Sequence, residues 1–386
     1  MALTDIDTAR ALVLDRVRPA GREIVALRAA DGRIAAREAV ARIAVPGFDN
    51  SAMDGFAVRA ADVASAGEQA PRELRIVDES RAGRPATAEL GAGEAIAIST
   101  GAMVPVGVLD ADDGVGANIR RAGEDVREGD VLLEPGARIG PAALGALAAG
   151  GIAAVECSRR PRVAVLLTGD ELVEPDRDLG PGQIHDSNAY AVPPLAVAAG
   201  AEIESVAVIG DDRGTTTKEI ERGLAADTLV VCGGVSVGEH DHVRPALEAL
   251  DVEQVFWGVS LRPGKPTYFG VAPSGALVFG LPGNPVSAMV TFLLFARPAL
   301  LAMQGADPAA RSVTARLTGD YTKVRGRSEA IRVRLAAGPG GWEITPTGAQ
   351  GSHVLTSMLA ADGLAFAPAE MVELAAGTEL RTELIG

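Results

Sequence analysis

The stretch RVAVLLTGDEL, residues 162–172, is a run of aliphatic and β-branched residues that stops at a hydroxyl, a glycine and two carboxylates. A strand of this kind is buried on both faces, which is the habit of parallel sheets covered by helices. The same texture returns downstream in EIESVAVIG, TLVVCGG and ALVFGLPG. Helices are expected between and after these strands at 187–199, 216–225, 243–249 and 285–295. Strands alternating with helices predict one α/β domain with a mostly parallel sheet over 161–305.

Outward from that domain the texture changes. Leu3 to Val17 has an amphipathic pattern with Thr4 or Asp5 as its cap. A short strand at Glu23–Leu27 and a second helix at Asp31–Ala39 follow. Residues 46–129 hold short, turn-rich strands and read as a small β-rich domain. Pro141 to Gly151 is Ala-rich and helical, so residues 1–45 with 130–160 read as a helical linker domain. Strands return after Arg311, which predicts a C-terminal β-barrel over 310–386. The fold class is a multidomain assembly of α/β and β parts.

Composition narrows the function. The chain has 386 residues, 47% of them apolar but only 3% aromatic, so its cores are built from Ala, Val, Leu and Ile. The 36 basic residues are outnumbered by 51 acidic ones, giving a net charge of −15, and no basic cluster is present. That argues against nucleic acid as a partner. Cys157 and Cys232 sit far apart in apolar stretches and read as buried thiols. The N-terminus has no basic segment before its apolar run, unlike a signal peptide. The longest apolar run, Val286 to Leu301, is broken by Arg297 and Pro298 and reads as a buried helix, with no membrane partner. A cytoplasmic protein is expected.

Open parallel sheets bind ligands outside the carboxyl ends of their strands. Four loops are expected there. Thr168-Gly169-Asp170-Glu171 offers a hydroxyl and two carboxylates that could hold Mg²⁺ against phosphates, or could simply be a capped turn. Gly233-Gly234-Val235-Ser236-Val237-Gly238 lets backbone N–H groups approach an anion closely, and Asp241 follows it. His240 and His242 flank Asp241, either as a two-histidine metal site or as solvated side chains. Arg262-Pro263-Gly264-Lys265 holds two cations on a stiff loop suited to phosphate, or is a surface turn. Pro282-Gly283-Asn284-Pro285-Val286-Ser287 opens a helix with Asn284 as cap and Pro285 in the first turn, a natural anion site. The combination points to a phosphate-bearing small molecule with a divalent metal among the acids. Outside the domain, residues 45–56 alternate Phe48, Met53 and Phe56 with Asp49, Asn50 and Asp54. This segment is a structural crossover, or a loop offering Asp54 to a cleft.

Taken in order, PGFDNSAMDGFAVR, STGA, NIRRAGEDV, TGDEL, GGVSVGEHD, RPGKP, GLPGNPVS and TGAQGSH resemble the MoeA family of molybdopterin molybdenumtransferases over nearly the whole chain. The resemblance implies a Mg²⁺-dependent enzyme that inserts molybdate, its co-substrate, into adenylylated molybdopterin and releases AMP. It also implies a homodimer of four-part subunits, with the site at the α/β domain facing the partner's β-rich domain. By the same resemblance the catalytic set falls on Asp54, Thr100, Asp125, Glu171, Asp241 and Lys265. The metal ligands fall on Glu171, Asp211 (or Asp212) and Asp241. The substrate contacts fall on Thr168, Gly169, Asp170, Gly233, Gly234, Ser236, Arg262, Pro282, Gly283, Asn284 and Ser287. Arg262 stands where many members carry Lys. After Thr100 the text MVPVGVLDADDGVGANIRR is shorter than the family pattern and lacks one apolar strand. That departure motivates a second reading, a non-catalytic molybdopterin carrier or scaffold on the same fold.

Overall fold

The computed structural model describes residues 3–108, 117–235 and 241–385. It divides into two compact units, Met1–Glu23 with Ser158–Gly386, and Ile24–Cys157.

In the larger unit, helix α1 (Ile6–Leu14) is capped by Asp5, whose carboxylate accepts from the backbone N–H groups of Asp7 and Thr8. Ile6, Ala9 and Val13 enter the core of the α/β part. Residues 3–23 therefore pack against the apolar helix Pro285–Met303 and fall in the larger unit. The sheet has six strands among the described residues. They are β1 (Arg162–Thr168), β2 (Glu202–Ile209), β3 (Thr228–Cys232), β4 (Glu253–Trp257), β5 (Tyr268–Val271) and β6 (Leu277–Leu281). Their order is β2-β1-β3-β6-β5-β4. The first four are mutually parallel, and β5 and β4 are antiparallel additions.

The strands read as continuous apolar runs because both sheet faces are covered. Val163, Val165, Leu167, Val230 and Phe279 point into one cluster, with α2 (Asn188–Ala198) and the long apolar helix after β6. Ala164, Leu166, Leu229, Val231 and Val278 point into the other, with α3 (Arg213–Gly223) and α4 (Val243–Ala249). At about 25 cal/mol per Å² of apolar area, such double burial makes these strands the stable frame on which the loops are mounted.

The helix after β6 runs further than its pattern suggested. It comprises α5 (Pro285–Thr291), a π turn at Phe292–Ala296, and α6 (Arg297–Met303). The run is long and apolar enough to cross a membrane by composition, but it is mostly buried within this protein. Pro298 accounts for the π turn. It has no N–H, so the carbonyl of Leu294, four residues earlier, loses its α-helical donor. Arg10 Nε of α1 donates to that carbonyl instead, at 3.2 Å.

The C-terminal part closes into a five-stranded barrel of β7 (Ser312–Leu317), β8 (Ser328–Gly338), β9 (Gly341–Pro346), β10 (Gly363–Ala367) and β11 (Glu379–Leu384). The ring runs β8-β9-β7-β11-β10 and back to β8. Closure leaves no free sheet edge among these strands.

The smaller unit is built from short pieces. A three-stranded sheet comprises Gly55–Val58, Glu94–Ile98 and Arg75–Ser80. Separate two-stranded ladders and the helix Pro141–Ala149 complete it. The helix expected at Asp31–Ala39 is absent. Gly32 takes φ +70°, and Ile34 and Ala35 pair with Arg138 and Cys157 in isolated bridges.

Candidate active site

Four parallel strands end flush. Thr168 pairs with Ile209, Leu167 with Cys232, and Cys232 with Leu281. Glycine follows three of these ends at Gly169, Gly210 and Gly233, and Pro282-Gly283 follows the fourth. The chain order reverses at β1, with β2 on one side and β3 on the other. That is the switch point at which doubly wound sheets open a ligand crevice.

The crevice floor is tight. A Cβ on Gly233 would lie 2.8 Å from both the carbonyl oxygen and Oγ1 of Thr168, and one on Gly234 would lie 3.0 Å from that Oγ1. Both glycines have positive φ, +93° and +64°. The Gly233 N–H donates to Leu281 O, and Gly283 lies directly over Gly233. The structure thus gathers Thr168, Gly233, Gly234, Pro282 and Gly283 at one point. Thr168 is buried, and its Oγ1 has no hydrogen-bond partner among the described residues. Ser236 and His240 lie outside the described residues.

Two side chains not expected from the sequence join this cluster. Asp186 and Asn188, at the start of α2, are 4% and 7% exposed. Asp186 Oδ1 accepts from the N–H groups of Asn188 (2.9 Å) and Ala189 (3.0 Å). Asn188 Nδ2 donates to Gly283 O at 2.7 Å, which ties α2 to the loop after β6. Asp186 Oδ2 and Asn188 Oδ1 have no partner among the described residues. Burial pushes the Asp186 carboxyl above the usual carboxylate range, against the lowering effect of its two N–H donors. Asp186 also bears on Cys232, whose thiol is pushed up to about 12, mainly by its own burial. The readable signal was Asp-Ser-Asn directly before an apolar helix, a capping pattern.

The acids of neighbouring loops are arranged in sequence along the strand ends. Asp170 Oδ1 accepts from the Asp211 N–H at 3.0 Å. Asp212 caps α3, accepting from Thr215 N–H at 2.7 Å. That bond, with the Thr215 hydroxyl and nearby His242, lowers the Asp212 carboxyl. The Glu171 carboxylate lies against Gly169, and its backbone carbonyl accepts from Ile184. Asp241 and His242 lead into α4. Among the described residues no group of three or more His, Cys, Asp or Glu is placed to hold a metal ion, so Glu171, Asp211 and Asp241 do not form a three-carboxylate cage.

The remaining predicted residues are placed separately. Asn284 takes the cap position of α5, but its side chain makes no capping bond. The Val286 N–H is taken by Ser352 O, and Ser287 is buried. Lys265 is exposed on its loop. Arg262 is not a free phosphate hand. It lies on a two-residue strand paired with the start of β8, with Nη1 4.0 Å from Glu329, which is 2% exposed.

In the smaller unit, Asp54 Oδ1 accepts from Thr100 twice, from its N–H at 2.7 Å and its Oγ1 at 3.0 Å. The backbone bond foremost, then the hydroxyl, holds the Asp54 carboxyl below its usual range. Asp49 is held by the Ala122 N–H and by Arg121. Asp125 is exposed, and its N–H donates to Val45. A cleft of about 840 Å³ is lined by Asp54, Met53, Phe56 and Asn118 among others. The shortened stretch after Thr100 falls largely on residues 109–116, outside those described.

Fold and site together define a doubly wound α/β domain with a ligand crevice at its switch point, preceded and followed along the chain by β-rich segments. Residues 164–302 match the "Probable molybdopterin binding domain" family. Residues 4–151 match the MoeA N-terminal region (domain I and II), and residues 314–385 match the MoeA C-terminal region (domain IV). The molybdopterin molybdenumtransferase of Haemophilus influenzae is 37% identical, over 98% of each chain. Molybdopterin molybdenumtransferase 2 of Mycobacterium tuberculosis is also 37% identical, over 92% of this chain and 93% of its own. Two crystal structures of a molybdopterin biosynthesis MoeA protein from Pyrococcus horikoshii superpose with TM-scores of 0.82 and 0.81. Their identities are 32% and 29%, and they cover at least 99% of both chains. The chain belongs to the MoeA family.

Proposed function

We propose that this protein is a molybdopterin molybdenumtransferase of molybdenum cofactor biosynthesis. It takes adenylylated molybdopterin and molybdate, inserts the metal and releases AMP. The observation that carries this reading is the flush row of Gly-terminated strand ends at the switch point, with buried, unsatisfied polar atoms on Thr168, Asp186 and Asn188. Such atoms are stable there only if a ligand or water satisfies them.

The chain's own groups do most of the work by placement. The Gly233 N–H is held by Leu281 O, so the Gly234 N–H is the donor this turn offers to anionic oxygens, and the missing Cβ atoms let the turn pack against Thr168 and Val243. Lys265 adds a point charge. Glu171 and Asp241 are the residues that would hold Mg²⁺. An oxygen donor set of one or two carboxylates fits that ion, which completes its shell with substrate phosphate and water. When bound, Mg²⁺ neutralises phosphate charge. Asp54, set ionised by Thr100, and Asp125 belong to the same catalytic set. We further propose a cytoplasmic homodimer. The exposed apolar side chains Phe48, Met53 and Phe56 beside Asp54 support a surface covered by a second copy.

Purified protein with Mg²⁺, molybdate and adenylylated molybdopterin should release AMP. The Glu171→Gln variant should keep its fold and lose at least about tenfold in rate, the effect of removing one positioned charge. Tight substrate binding without AMP release, beside a working relative, would show a carrier and overturn the enzymatic reading.

A further inference from the structure

A second cavity lies away from the strand-end loops, where α1, the π turn and β11 meet. It has a volume of about 250 Å³ and is lined by Arg10, Arg297, Arg381 and one acid, Asp7, with Leu293 and Pro298 among its apolar walls. At about 30 Å³ per water, it has room for a small ion with several waters.

The charges in it do not balance. Glu383 is 4% exposed and is already held twice. Arg10 forms a fork on it at 2.8 and 2.6 Å, and Arg381 Nη2 reaches it at 2.8 Å. Asp7 is largely exposed and lies 3.8 Å from Arg10. Arg297 is half-buried, and its guanidinium has no hydrogen-bond or ion-pair partner among the described residues. Burial pushes it below the usual arginine range; Glu383 opposes that shift through space, and Arg311 adds repulsion. A half-buried guanidinium with no hydrogen-bonded anion is incompletely compensated, because Glu383 is already bonded to Arg10 and Arg381. Its position is nonetheless built, because it is the first residue of α6 after the π turn, a break often found at functional sites.

We propose that this cavity is a binding site for a small tetrahedral oxyanion of the sulfate, phosphate and molybdate class. Arg297 is its main ligand, Arg381 its half-exposed second, and Arg10 its fixed floor. Planar guanidinium forks match such oxygens better than point charges do. In a chain of net charge −15, a pocket lined by three arginines and a single acid, Asp7, is a local exception.

Calorimetric titration of the full chain with sulfate, and separately with molybdate, at low ionic strength tests this. The wild type should bind sulfate, and Arg297→Gln should weaken that binding at least about tenfold, the loss of one charged fork. Lys265→Gln should leave it unchanged. Equal affinities for sulfate and molybdate identify a general oxyanion site. At least about tenfold preference for molybdate identifies a site serving the reaction's own substrate. In oxyanion-free buffer, Arg297→Gln should melt no lower than the wild type, since it removes a half-buried charge that no hydrogen bond or ion pair holds among the described residues. The proposal fails if sulfate does not bind up to about 10 mM, if Arg297→Gln binds it as the wild type does, or if that variant melts several degrees lower.

Discussion

Gly233 and Asp186 show how single residues fix the crevice. At Gly233, positive φ and the 2.8 Å approach to Thr168 act together. The obstructing atoms include backbone, so they cannot swing away. Gly233→Ala should therefore destabilise the protein by about 2 kcal/mol or more, read as a lower denaturant midpoint. An unchanged midpoint would mean the loop relaxes freely. Asp186 is the opposite case, a group whose charge opposes folding. Its carboxyl is raised in the folded state, so the folded protein binds the proton more tightly than the unfolded chain. Stability then falls as pH rises from the ordinary carboxylate value of about 3.9 through the folded value. Asp186→Asn keeps the acceptor for both N–H donors and removes the charge. Its melting temperature should match or exceed the wild type at pH 7, and that advantage should shrink toward pH 4. An advantage that grows toward pH 4 would contradict the assignment. Asp186 escaped sequence reasoning because its capping pattern is common, and only the fold shows that its second oxygen lacks a partner.

At the level of elements, legibility followed burial. The doubly covered strands were readable because continuous apolar runs with β-branched residues admit few other structures, and α4 falls where its pattern placed it. The Asp31–Ala39 segment was not readable, since its ladder partners lie about 100 residues away in sequence. The π turn was half readable. Pro298 announced a break, but Arg10 as the substitute donor could not be seen from spacing. That arginine supports a testable element contact. Arg10→Met leaves the buried Glu383 with Arg381 as its remaining ion-pair partner among the described residues and should cost about 3 kcal/mol, measured as a shift in chemical denaturation. Arg10→Met with Glu383→Met should recover much of it, because a buried ion pair is replaceable by apolar packing. Failure of the double variant to recover would mean the fork carries more than charge balance.

Across the whole molecule, the sequence located the α/β domain and the barrel from texture alone, and ordered motifs identified the family. Compositional reading could not show that residues 3–23 belong to the α/β core, because an amphipathic helix does not state which surface it covers. Nor could it show that Arg262 pairs with the start of β8 and lies 4.0 Å from Glu329, since a basic loop does not state its neighbours.

The contact between Arg10 and Glu383 spans 373 positions of the chain. A ribosome adding residues from the N-terminus exposes α1 long before β11 exists. The Leu294 carbonyl and the Arg10 side chain can meet once α6 has emerged, but the carboxylate that anchors them arrives only with the final strand. Maturation of this corner therefore waits for β11, long after α1 has emerged. Until then Arg10 and Arg297 are present in the nascent chain without the Glu383 carboxylate that β11 brings.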